Sequence, residues 1–75
     1  MKTNTEILGN TVRRYREYNG LTQTQLAEKL SIGYRTIMEI ENYRGNPQFD
    51  ILYPLIRALN IPANLIFYPE TDSFT

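Results

Sequence analysis

The chain has 75 residues, eight basic and eight acidic, with neither cysteine nor histidine. That length suits one small domain, near the lower limit at which an apolar core sustains itself. Disulfides, cysteine or histidine chemistry and the usual metal ligands are excluded, and zero net charge argues against affinity drawn from a broad basic surface.

No apolar run approaches the ~18 residues of a membrane span, and the opening MKTNTEILG does not read as a signal peptide. A cytoplasmic protein with no cofactor and no metal is expected. Residues 1–69 read as the domain and 70–75 as a polar tail.

The first predicted helix runs from Thr5 to Asn19, with Ile7, Leu8, Val12, Tyr15 and Tyr18 as its apolar stripe and Gly20 as a left-handed C-terminal cap. Thr22 and Gln25 stand three apart, the spacing of a capping box, so a second helix starts at Gln23. It ends at Leu30 and buries Leu26, Ala27 and Leu30. Ser31-Ile32-Gly33 form a turn with Ile32 inward, and a third helix follows from Tyr34 to Asn42. At about 100° per residue, Gly33, Ile37 and Ile40 share one face of it. Tyr34, Arg35, Met38, Glu39 and Asn42 share the other. Tyr43 to Pro47 is a loop of turn formers. A fourth helix, Phe49–Leu59, carries Leu52, Leu55, Ile56 and Leu59 at helical spacing, with Pro54 inside it predicting a kink or a late start. Asn60 suits a left-handed cap, and Pro62 opens a fifth helix through Phe67.

The stretch Gln23–Asn42, QTQLAEKLSIGYRTIMEIEN, fits a helix-turn-helix throughout. Two short helices joined by a tight turn cross steeply, and Ala27 marks where they touch. Such a unit projects its second helix into a groove, usually the major groove of DNA. Arg35 can donate two hydrogen bonds to guanine N7 and O6. Glu39 either accepts from cytosine N4 or orients Arg35 one turn away. Tyr34 stacks on sugar or methyl groups, and Met38 meets a thymine methyl. Thr36 borders this face within reach of phosphate, and Thr22 stands with it at the neighbouring helix start. Asn42, Arg44 and Asn46 suit backbone phosphates, although turn geometry explains the asparagines equally well. No base, nucleophile or metal cluster converges, so an enzyme is not expected.

The segments VRRYREYNGLTQTQLAEKL, TIMEIENYRGNP and FDILYPLIRALNIPANLIF resemble the Cro/C1-type, or XRE, family of helix-turn-helix repressors over residues 7–67. The resemblance implies an all-α, five-helix, lambda-repressor-like domain that binds operator DNA as a dimer, most like small regulators of bacterial mobile elements. It also implies a phosphate contact for Gln23 and a structural ion pair between Arg16 and Glu41. Arg13 and Arg14 are left to solvent, one of them able to approach phosphate. Three positions depart from the family pattern. Ser31 stands for a turn glycine, Gly33 for a capping serine or threonine, and Tyr43 for a glycine after Glu41-Asn42. The last calls for a different loop, with Gly45 as the candidate left-handed residue.

Two copies about one DNA turn apart, roughly 34 Å, are the usual route to specific binding. Ile66, Phe67 and Tyr68 are the candidate dimer surface, with Asn64 and Phe74 near it, Leu65 assigned to the core and Phe67 also able to plug the core's end. The function expected is a dimeric, sequence-specific DNA-binding repressor. A protein-interaction module on the same fold, antitoxin-like or an anti-repressor, is the alternative, favoured by zero net charge and by Glu39 on the reading face.

Overall fold

Helix α1 (Asn4–Tyr18) begins one residue ahead of the predicted Thr5 because Thr3 closes a capping box. The Thr3 hydroxyl accepts from the Glu6 N–H, and the Glu6 carboxylate accepts from the Thr3 N–H. Helix α2 (Gln23–Leu30) starts the same way: the Thr22 N–H donates to the Gln25 amide at 2.8 Å and the Gln25 N–H to the Thr22 hydroxyl at 3.0 Å. Then come α3 (Tyr34–Glu41), α4 (Phe49–Leu59) and α5 (Asn64–Phe67). The computed structural model describes residues 3–68, and these form five helices and no strand. This is the all-α, lambda-repressor-like architecture the sequence predicts. Phe74 and the tail 70–75 lie outside the described residues.

Helices α1 to α4 end alike. One or two residues past each end the chain takes a left-handed conformation, and the next N–H turns back to a carbonyl of the last turn. The left-handed residues are Gly20, Ser31, Tyr43 and Asn60, with φ of 71°, 55°, 66° and 56°. The returning bonds, Leu21 to Arg16, Ile32 to Ala27, Arg44 to Glu39 and Ile61 to Ile56, are 2.9–3.1 Å long. Gly45, expected to take the left-handed position after α3, does not: Tyr43 takes it. Gly45 is needed for clearance instead. A Cβ there would lie 2.9 Å from the Ile40 backbone nitrogen, because the Gly45 N–H also bonds the Glu39 carbonyl at 3.1 Å.

Three other boundaries differ. Asn42 caps α3 rather than extending it. Helix α4 begins at Phe49 and continues through Pro54, so no late start occurs. The fifth helix opens at Asn64, and Pro62 only lends its carbonyl to the Leu65 N–H.

Val12, Leu26, Ala27, Ile37, Ile40, Leu55, Leu59 and Ile61 form the buried core. Leu8, Tyr15, Leu30, Ile32, Ile56, Leu65 and Ile66 pack around it, half-buried. Helix α3 packs against α1 and α2, α4 against the same two helices, and α5 against α1. Two residues expected inside lie outside. Tyr18, on the last turn of α1, is 87% exposed and meets only the edge of the Tyr15 ring. Gly33 is exposed because it sits before the first turn of α3, as a cap with no side chain to bond.

Candidate nucleic-acid interface

Helix α3 is anchored on one side and open on the other. Ile37, Ile40 and Glu41 are buried, whereas Tyr34, Arg35 and Glu39 are exposed and Met38 and Thr36 are half-buried. The four candidate base readers therefore share the outward side. Among the described residues no ion pair joins Arg35 to Glu39, so the carboxylate does not orient the guanidinium as one reading of the sequence allowed.

The anchor is Glu41. Its carboxylate is fully buried and takes four hydrogen bonds. Arg16 Nε donates to Oε2 at 2.6 Å, and Arg16 Nη2, Gln23 Nε2 and Arg13 Nε reach Oε1 at 3.0, 3.0 and 3.4 Å. Arg13 Nη2 also donates to the Glu41 carbonyl at 3.0 Å, and Arg16 Nη1 to the Leu21 carbonyl at 2.8 Å. One carboxylate thus ties together α1, the start of α2 and the end of α3. Burial pushes the Glu41 carboxyl up, but hydrogen bonds from Arg16 and Gln23, the Arg16 charge and the Arg13 bond outweigh it. The net position is below the ordinary carboxylate value. The bond to Glu41 raises the Arg16 guanidinium further above an already high value, against the opposing effect of burial.

Two expectations change here. Arg13 is not left to solvent: from α1 it faces the same carboxylate as Arg16. Gln23 also turns its side chain inward to Glu41. That leaves the free backbone N–H groups of the first turn of α2 as the donors that can face an anion. Thr22 is exposed beside them, and its hydroxyl keeps a proton to donate while its oxygen caps the helix.

The loop after α3 is held from two sides. The Arg44 and Gly45 N–H groups both bond the Glu39 carbonyl, at 2.9 and 3.1 Å. The Tyr43 hydroxyl donates to Asn10 Oδ1 at 2.6 Å, and its ring lies over α1 where Gly9 leaves room. A Cβ on Gly9 would come within 2.5 Å of the Ile40 carbonyl and 2.8 Å of the Tyr43 ring. Asn42, Arg44 and Asn46 are exposed along this loop, continuing the open side of α3. Sequence reasoning missed the Tyr43–Asn10 contact. Its signal was an isolated glycine inside a helical pattern, which marks close approach.

At the candidate dimer surface, Ile66 packs on the core while Phe67 and Tyr68 are 47% and 65% exposed. Phe67 therefore does not plug the core's end. Among the described residues no His, Cys, Asp or Glu cluster could hold a metal, and no helix is long and apolar enough to cross a membrane.

A family model described as helix-turn-helix matches residues 12–66. The chain is 30% identical over 63 residues to an uncharacterized HTH-type transcriptional regulator of Methanocaldococcus jannaschii, covering 84% of this chain and 96% of the relative. It is 31% identical over 58 residues to antitoxin HipB of Escherichia coli O6:H1, covering 77% of this chain and 62% of HipB. It is 34% identical over 64 residues to the immunity repressor protein of Bacillus phage phi105, covering 85% of this chain and 44% of that repressor. The chain thus spans nearly all of the archaeal relative but under two thirds of the other two. No solved structure matches it. Relatives from archaea, bacteria and a phage do not confine the fold to bacterial mobile elements. With the matched model covering the two motif helices and the core around them, the chain belongs to the Cro/C1-type (XRE) family of DNA-binding helix-turn-helix transcriptional regulators.

Proposed function

We propose that this protein is a sequence-specific repressor that binds its operator as two copies, acting in the cytoplasm by excluding polymerase. The observation that carries the reading is the two-sided character of α3: Glu41, Ile37 and Ile40 are buried, while Tyr34, Arg35, Met38 and Glu39 point away from the core or border it. In this reading α3 lies in the major groove. Arg35 reads guanine, Glu39 accepts from cytosine, and Tyr34 and Met38 meet methyl or sugar groups. Thr22, the first-turn N–H groups at Gln23, Thr36, Asn42, Arg44 and Asn46 hold phosphates and set the register. With no net charge, affinity comes from these few placed contacts and from pairing of two copies, for which Phe67 and Tyr68 offer one exposed surface. The name of the phage relative, an immunity repressor, supports repression.

A second reading, a protein-interaction module, draws on the acidic Glu39 within the same face and on the antitoxin among the relatives. Titration against duplexes from the DNA flanking the gene, across a salt series, separates the two. The regulator reading expects log affinity to fall linearly with log salt, at a slope of about 0.9 per phosphate contacted. Absence of binding to any such duplex at physiological salt would favour the interaction module.

A further inference from the structure

We propose that Tyr43, seated against Gly9 and Asn10, is a positioning residue that holds the loop after α3 so that Arg44 can grip a DNA phosphate. This role presupposes that the chain binds DNA as proposed above, and it names what places the grip. Arg44 is exposed and has no hydrogen bond or ion pair from its side chain among the described residues, so its guanidinium is free for a phosphate. No acidic side chain stands in residues 42–48 to compete for it. A loop that had to order itself on binding would weaken that contact. Here the order is already present. The Arg44 and Gly45 N–H groups bond the Glu39 carbonyl at 2.9 and 3.1 Å, and Pro47 biases Asn46 towards extended backbone. These bonds reach only α3, and Tyr43 ties the same loop to α1. Its hydroxyl donates to Asn10 Oδ1 at 2.6 Å, and its ring lies against Gly9, where an added Cβ would stand 2.8 and 3.0 Å from Cδ1 and Cε1.

Neither turn geometry nor core packing accounts for a tyrosine at this position. Its φ of 66° is left-handed, a conformation that glycine takes freely and a large side chain does not. A glycine at 43 would close the same turn without strain. Tyr43 is also 39% exposed and is not among the side chains packed on the core. What a glycine would lack is the ring and the hydroxyl, the two groups that reach α1. Backbone strain persists where the surroundings over-determine it, and it gathers at binding sites. Gly9 does so by leaving space for the ring, and Asn10 by accepting the hydroxyl proton. That proton is spent on α1, so Tyr43 acts on DNA through the placement of Arg44 and not by a phosphate bond of its own.

The test compares Asn10→Ala, Tyr43→Phe and Tyr43→Gly with the native chain, each alone and each combined with Arg44→Ala. Binding is measured on a duplex selected from the gene's flanking DNA and on single-base variants of it, at a temperature where thermal melts show every chain folded. Each single variant binds all duplexes at least about threefold more weakly than native, with base preference unchanged. The salt slope falls towards that of Arg44→Ala. In the Arg44→Ala background the same substitutions cost less than about twofold, because the contact they position is already gone. Asn10→Ala keeps the Tyr43 hydroxyl, so it separates positioning from a direct bond between Tyr43 and phosphate. The proposal is overturned if Asn10→Ala binds as native does, if the losses are as large without Arg44 as with it, or if base preference changes. A native chain that binds no duplex sinks the regulator reading and this role with it, whereas native binding with indifferent variants sinks this role alone.

Discussion

Glu41 sets the position of α3, and it does so with donors from two other elements. Removing its carboxylate would leave Arg16, whose side chain is only 11% exposed, with the exposed Glu17 carboxylate at 4.0 Å as its remaining acidic partner. Glu41→Ala should therefore destabilise the chain by about 3–5 kcal/mol in denaturant unfolding, a large share of a small domain's stability. A loss under about 1 kcal/mol would show that the cluster is a surface ion pair in effect. Ser31 is strained in the opposite sense. It holds φ of 55° with no glycine's freedom, so Ser31→Gly should raise stability by about 0.5–1 kcal/mol, the relief of a left-handed side chain less the extra entropy of the unfolded glycine. The family resemblance already paired Glu41 with Arg16. Arg13 and Gln23 were not legible as its partners. Periodicity gives the face of a helix, but not where a long side chain bends to find a buried charge.

Among the elements, the α1–α3 contact depends on the smallest side chain in it. Gly9→Ala would drive a methyl onto the Ile40 carbonyl and the Tyr43 ring, and the shift forced on the backbone should cost about 1–3 kcal/mol in thermal or chemical unfolding. In α4, Pro54 removes the N–H that would bond the Asp50 carbonyl, so Pro54→Ala should stabilise the free chain by up to about 3 kcal/mol. The helix limits of α1 to α4 were readable to within a residue because their caps are local: Thr22 with Gln25, Gly20 and Asn60 all stand in the sequence where the chain turns. Helix α5 was less so, since four residues are too few for a period to show. The loop after α3 was misread for a different reason. A tyrosine in a left-handed conformation is sustained by Asn10 and Gly9, more than thirty residues away in the chain, and no local pattern reports that.

At the scale of the whole molecule, the same carboxylate makes stability depend on pH. Glu41 is held below the ordinary value of 4.5 in the folded chain, so at low pH the unfolded chain takes up the proton first. Its contribution is therefore complete above about pH 4.5 and is lost as pH falls through the lower, folded-state value. The melting temperature of the native chain should fall below that pH, and Glu41→Gln should lose part of the fall. The division of labour between buried and open sides of α3 leads to the central claim, that Arg35 reads bases while Arg44 only grips the backbone. Binding of the native, Arg35→Ala and Arg44→Ala chains to a duplex selected from the gene's own flanking DNA, and to single-base variants of it, tests that claim directly. Arg35→Ala should cost about 1–3 kcal/mol on the selected site and relax preference at one base pair. Arg44→Ala should weaken all duplexes alike and lower the salt slope by about one. Unchanged sequence preference in Arg35→Ala would contradict the account.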